Sequence, residues 1–349
     1  MEYKSEIEIS YRNKIESGLS ALPGYIRTYI EGRENRLSIK TRYAYIQDLR
    51  IFLEYIQKSN PLYKDTDIKD IPLDVFDTLT THDINEFLKN VEYYEVSGKV
   101  RHNGLPAKQR KLATLRSFYK FCNQNEMITK NPTLAVENIR IEEKDILALN
   151  SDEVVDFLEV VKNGTGMEGK QLSIQKKNAD RDVAIYTLLF GTGIRISEMV
   201  GLNINGIDLK HKEFRVVRKG GNEEIIHFGE SVCECLDNYI HNVRPKYLTA
   251  DADPDPLFLS LKGNRLSVRR IEDMTKIYAS IALPAKHITP HKMRSTFGSF
   301  IYNATGDAGL VASMLGHSNV DITLKRYAKL DSVRKEKAAE IATKMWGES

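Results

Sequence analysis

Between residues 289 and 294 the chain reads Thr-Pro-His-Lys-Met-Arg. A threonine hydroxyl suits a helix cap and a proline suits the first helical position, so His291 and Arg294, three residues apart, share one face beside the positive end of a helix. An imidazole, a guanidinium and a helix N-terminus pointing one way form an anion site, and a phosphate group is a fitting occupant. Arg195 directly follows a Gly191-Thr192-Gly193 turn and opens the amphipathic stretch ISEMVGL, so its guanidinium projects from a rigid helix start. In Leu315-Gly316-His317-Ser318-Asn319 the glycine ends one helix and Ser318 or Asn319 caps the next, which leaves His317 in the turn, able to reach a ligand. Tyr327, in ITLKRYAKL, is one of seventeen tyrosines and taken alone reads as a packing residue.

Two other patterns carry less chemistry. Gly164 to Lys170 matches the front of a phosphate-binding loop, but Gln171 lacks the hydroxyl that would hold magnesium. The preceding apolar residues, Val154, Val155, Phe157, Leu158 and Val161, are spaced as a helix where that motif needs a strand, so the segment reads as a flexible loop. Cys233 and Cys235 lie two apart on a helical stretch; their side chains diverge, which rules out a shared metal and points to buried packing.

The elements that must position these residues follow from length and patterning. At 349 residues the chain has room for about two domains, and 41% hydrophobic with 28% charged residues is ordinary folded composition. Three cysteines, a charged start without an apolar leader and no bilayer-length apolar run lead us to expect a reducing, cytoplasmic setting and no membrane. Residues 1–140 read as a helical domain. Ser38 caps a helix with Tyr45, Leu49, Ile51, Phe52 and Ile56, and a second helix starts at Thr81, whose hydroxyl is expected to cap the run from Asp83 to Val91. A third, PAKQRKLATLRSFYKFCNQN, buries Leu112, Leu115, Phe118, Tyr119 and Cys122. Asn131-Pro132 ends the helical run, 141–150 reads as a linker, and Ser151 opens a mostly helical second domain running to 349. That domain contains one clear hairpin, Phe214 to Val217 and Ile225 to Phe228, around Lys219-Gly220-Gly221-Asn222. The net charge of +3 hides an asymmetry: residues 51–95 hold four lysines and ten acids, whereas residues 96–125 hold seven basic residues and no acid. Those seven, Lys99, Arg101, Lys108, Arg110, Lys111, Arg116 and Lys120, suit a polyanion, with Lys108, Arg110, Lys111 and Lys120 largely opposite the apolar face.

Together, GTGIRISEMVGL, the VVRKGGNEE hairpin, TPHKMRSTF, LGHSN and TLKRYAKL resemble the tyrosine recombinase (phage integrase, Xer-like) family, in its order and at plausible spacings. The N-terminal helical segments resemble its core-binding domain. The resemblance implies a mainly α chain: a SAM-like helical core-binding domain followed by a helical α+β catalytic domain with a small sheet. It also implies an active site of Arg195, Lys219, His291, Arg294 and His317, with Tyr327 as nucleophile. Ser295 stands where many members have a second histidine, at a variable position.

The chemistry of the residues agrees. Attack on a phosphodiester builds negative charge on two non-bridging oxygens, and two arginines supply forked donors for both, so no metal is needed. His291 would act as base, His317 would donate to the phosphate, and Lys219 would protonate the leaving 5′ hydroxyl. The resemblance further implies a 3′-phosphotyrosyl intermediate and no ATP or other cofactor. It also implies strand exchange through a four-way junction, and a tetramer on paired specific sites in double-stranded DNA. In SVRKEKAAEIATKMW, the resemblance implies that the face formed by Ala338, Ile341, Ala342 and Met345 docks on a neighbouring subunit, packing against its own subunit being the alternative. A relaxing or end-resolving enzyme using the same residues, and a catalytically silent DNA-binding protein, are the competing expectations. The target sequence and any accessory protein are not readable from the residues.

Overall fold

The structure is a computed structural model and describes residues 3–96, 99–141, 147–218, 223–250 and 252–316. The chain divides into two compact units, Met1–Glu143 and Lys144–Ser349.

The first unit contains α1 (Tyr3–Leu19), α2 (Gly24–Gly32), α3 (Ile39–Ser59), α4 (Val75–Thr78), α5 (Thr81–Asn90), β1 (Tyr93–Val96), β2 (Lys99–His102) and α6 (Leu105–Gln124). Ser38 caps α3 as its sequence position predicts, its Oγ accepting from the Thr41 amide at 3.2 Å. Ile46, Leu49, Phe52, Leu53 and Ile56 bury the inner face of α3, and Leu112, Leu115, Phe118, Tyr119 and Cys122 that of α6. Between them lies an aromatic cluster in which Phe76 meets Phe118 at 4.9 Å and Phe52 meets Phe87 at 4.7 Å between ring centroids. Edge-on and tilted contacts of this kind stabilise beyond the area they bury.

Two local expectations are corrected. The cap of α5 is Thr80: it exchanges hydrogen bonds with Asp83, whereas the Thr81 hydroxyl donates to the Pro132 carbonyl at 3.1 Å. The first unit also holds strands where helices alone were expected. Tyr93–Val96 and Lys99–His102 pair as an antiparallel hairpin, with Tyr93 opposite His102.

The second unit runs α7 (Ser151–Asn163), α8 (Gly169–Thr192), α9 (Ile196–Gly201), β3 (Ile207–Asp208), β4 (Glu213–Val217), β5 (Glu223–His227), α10 (Glu230–Asn238), α11 (Val268–Ala282), α12 (Pro290–Thr305) and α13 (Ala308–Leu315). The expected hairpin gains a third strand, giving an antiparallel sheet in the order β3-β4-β5 with Phe214 opposite Ile226. The Gly164–Gly169 segment joins two helices, so the strand that a phosphate-binding loop requires is not there. Cys233 and Cys235 are half-buried rather than buried; their thiols donate separately, to Leu209 O at 3.5 Å and Thr187 Oγ1 at 3.8 Å.

Helix α8 is the element that fixes the site's geometry. Arg181 and Asp182 are buried on it, the Arg181 Nε donating to Asp182 Oδ1 at 2.8 Å and the Tyr278 hydroxyl of α11 to Asp182 Oδ2 at 2.6 Å. Arg181 Nη1 also donates to Leu259 O at 3.0 Å, so this buried charge pair is satisfied on several sides. One turn further on, Tyr186 packs edge-on against Phe157 (5.0 Å) and Tyr278 (5.7 Å). A helix held this firmly delivers its C-terminal end, Thr192-Gly193, to one fixed place.

Candidate active site

The turn expected at Gly191–Gly193 is tighter than its sequence suggests. Gly191 and Thr192 are still helical, and Gly193 alone, at φ 61°, ends α8 in the left-handed region. Any side chain there is strained, and a Cβ would lie 2.4 Å from Cδ1 of the buried Phe297 ring. Gly193→Ala is therefore expected to cost about 3 kcal/mol of stability, measured by urea unfolding, since left-handed strain and overpacking add.

Two residues later Arg195 caps α9. Its own amide donates to Glu198 Oε2 at 2.9 Å and its Nη1 to Glu198 Oε1 at 2.7 Å. Helix α12 starts as predicted, with the Thr289 hydroxyl accepting from the Lys292 amide and Pro290 in the first turn. His291 is exposed at that N-terminus, whereas Arg294 is 4% exposed. Helix α13 ends at Leu315, with Gly316 left-handed at φ 56°.

These three elements meet at the C-terminal end of α13. Arg294 Nη1 donates to Gly193 O at 2.6 Å and its Nη2 donates to Leu315 O. Arg195 Nη2 donates to Gly316 O at 3.1 Å. The last carbonyls of a helix have no partner within it and carry its negative pole, so guanidinium donors are favoured there. Each arginine is thus gripped on one side by backbone. Arg195, with a side chain 38% exposed, keeps part of its fork toward solvent.

A third guanidinium, which sequence reasoning missed, joins them. Arg218, 8% exposed at the end of β4, donates to Leu315 O at 3.1 Å and forms a two-point pair with Glu224 at 2.7 and 3.0 Å. Glu198 was also missed, although its place three residues into the helix after Arg195 matches a capping box. Its buried carboxylate lies 2.7 Å from Arg195 Nη1 and 3.6 Å from Arg218 Nη1. Three arginines against two glutamates leave a net positive charge of one, which suits a phosphodiester monoanion. Lys219, His317 and Tyr327 lie outside the described residues, as do Ser318, Asn319 and the segment expected to form a terminal helix.

Residues 148–334 match the phage integrase family. Tyrosine recombinase XerD of Staphylococcus haemolyticus is 31% identical over 292 residues, covering 83% of this chain and 88% of that protein. The chain belongs to the phage integrase family of tyrosine recombinases. Tyrosine recombinase XerC of Caldanaerobacter subterraneus is 30% identical over 289 residues, covering 80% of this chain and 75% of the other. The fold matches that of the XerH recombinase bound to a palindromic difH substrate, with TM-score 0.64 and 18% identity over 93% and 95% of the two chains. It also matches the Tn1549 transposon integrase in complex with circular intermediate DNA, with TM-score 0.62 and 21% identity over 90% and 98%. Membership makes this recombinase a mainly helical, site-specific enzyme that breaks and rejoins DNA.

The basic stretch of this recombinase is less free than its composition suggests. Lys111 is a correction: it is 2% exposed and lies 3.5 Å from Asp48 Oδ1. Arg110 pairs with Oδ2 of the same carboxylate, and the Thr114 hydroxyl donates to it at 2.9 Å. Burial pushes the Asp48 carboxyl up and the Lys111 amine down, against the pull of each on the other. Asp48→Ala is expected to destabilise the protein by about 3 kcal/mol in urea unfolding, because it removes the carboxylate that balances the charge of the buried lysine. Lys108 is paired with Glu92 at 2.9 Å, and Arg116 donates to Val136 O at 2.6 Å and Thr133 O at 3.4 Å. Lys120 is exposed on α6, and Lys99 and Arg101 belong to β2. Among the described residues no helix is long and apolar enough to cross a membrane.

Proposed function

We propose that this recombinase cuts DNA through Tyr327, forming a 3′-phosphotyrosyl intermediate, with Arg195 and Arg294 holding the scissile phosphate. The observation that carries the reading is the anchoring of both guanidiniums to neighbouring carbonyls, Gly316 O and Leu315 O, at one helix end. Donors fixed in advance lose little on reorganising as charge grows on the two non-bridging oxygens. His291 at the α12 N-terminus serves as base toward the tyrosine, His317 donates to the phosphate and Lys219 protonates the leaving 5′ oxygen. A free tyrosine phenol titrates near 10, so the proton must leave as the oxygen attacks, beside the cations that favour phenolate.

The adduct exchanges one phosphodiester for another, conserving bond energy, so a 5′ hydroxyl from a second duplex reverses the step without ATP. Two rounds through a four-way junction complete recombination between paired specific sites held by a tetramer, in the reducing cytoplasm. In this reading the first unit is the core-binding domain. Lys120 and the outward part of Arg110 are its better candidates for phosphate contact, Lys99 and Arg101 remain candidates by charge, and Lys108, Lys111 and Arg116 serve the unit's own packing.

Adducts trapped by denaturant from cells expressing the protein, with the attached DNA ends sequenced and the modified peptide read by mass spectrometry, test this. A nucleotide on Tyr327 and one paired, partly palindromic sequence are expected. Scattered ends would replace the reading with a relaxing enzyme, and no adduct despite DNA binding with a silent binding protein.

A further inference from the structure

We infer that Arg218 is a positioning residue, which sets the two phosphate-holding arginines without touching DNA; this rests on the reading of Arg195 and Arg294 given above. Its guanidinium is fully engaged. Nε donates to Glu224 Oε2 at 2.7 Å and Nη2 to Glu224 Oε1 at 3.0 Å, while Nη1 reaches Leu315 O at 3.1 Å and Nη2 reaches Met314 O at 3.3 Å.

What it holds is shared with both partners. Leu315 O accepts from Arg294 as well as from Arg218, and Glu198 lies between Arg195 and Arg218. Without Arg218, the Glu198 carboxylate would have Arg195 alone to neutralise it, and Arg195 would be drawn toward Glu198 and away from a phosphate. The end of α13 would lose two donors at once, and with them the fixed carbonyl that anchors Arg294. Gly316 closes the arrangement: at φ 56° it brings the backbone so close that a Cβ there would lie 2.5 Å from Arg218 Cζ. A lysine, with one compact ammonium, cannot reach Glu224, Met314 and Leu315 together.

The test compares wild type with Arg218→Ala, Arg218→Lys and Glu224→Gln on a nicked duplex carrying the site recovered from the trapped adducts. Single-turnover cleavage is measured with an ordinary scissile phosphate and with one whose non-bridging oxygen is replaced by methyl. The methylphosphonate is neutral, so it relieves the need for well-placed arginines. Arg218→Ala is expected to slow cleavage about 100-fold on phosphate and under about 5-fold on methylphosphonate. Arg218→Lys should fall between, and Glu224→Gln should lose about 10-fold with the same relief. DNA affinity should change less than about 3-fold, because phosphate contacts are spread over the whole site.

A smaller reacting fraction with an unchanged rate, together with a lowered melting temperature, would mean that Arg218 only supports the fold. Equal losses on both substrates would mean that it does not act through the arginine pair. Arg195→Ala is the control: if its loss is also not relieved by the methylphosphonate, the phosphate-holding role of the arginines has failed, and this inference with it.

Discussion

Phenylalanine at position 327 is expected to abolish covalent adducts and strand exchange, lowering cleavage by at least about 10⁴-fold while DNA affinity stays within about 2-fold. The change removes one oxygen and its proton and leaves the ring, so packing is nearly conserved. The arginines would still bind and polarise the phosphate, but polarisation without a positioned nucleophile does little. The measurement is a denaturing gel of the nicked duplex incubated with each protein. Retained cleavage by Tyr327→Phe would transfer the nucleophile to another residue. Weakened DNA binding would instead give the phenol hydroxyl a structural role.

How much of this was legible varies residue by residue. The helix starts at Ser38 and Thr289-Pro290 were readable because a cap is a local signal, satisfied within one turn; Ser151 does open α7, but the cap is Asn150, whose side chain accepts from the Glu153 amide. The choice between Thr80 and Thr81 was not, since both can cap and the deciding contact, Thr81 to Pro132, spans 51 positions. Lys111 shows a different failure. At positions 111, 115, 118 and 122 the spacing of 4, 3 and 4 puts it on the buried face with Leu115, Phe118 and Cys122. Its charge argued for solvent, and its partner Asp48 stands on another helix. In the candidate site, Arg195, His291 and Arg294 were marked by their own caps and turns. Arg218 had no such mark: its importance comes from Glu224, Met314 and Leu315, and only the folded chain brings them together.

Arg294 should prove the least replaceable of the described site residues. It is buried, and its two terminal nitrogens reach Gly193 O at the end of α8 and Leu315 O at the end of α13, so one side chain ties the two helix ends together. Arg294→Lys keeps the charge but offers a single point donor that cannot span both carbonyls. Cleavage is expected to fall about 10³-fold, with DNA affinity little changed because a fixed fork matters most as transition-state charge develops. Arg294→Ala should lose as much in rate and, by taking from the buried Gly193 O its Arg294 donor and leaving Leu315 O to Arg218, a further 1–3 kcal/mol or so in stability. Single-turnover cleavage beside urea unfolding separates the two effects. If Arg294→Lys cleaved at the wild-type rate, the two-point geometry would be irrelevant and charge alone would suffice. If both variants lost only stability, Arg294 would be a strut between α8 and α13 and the phosphate would be held elsewhere.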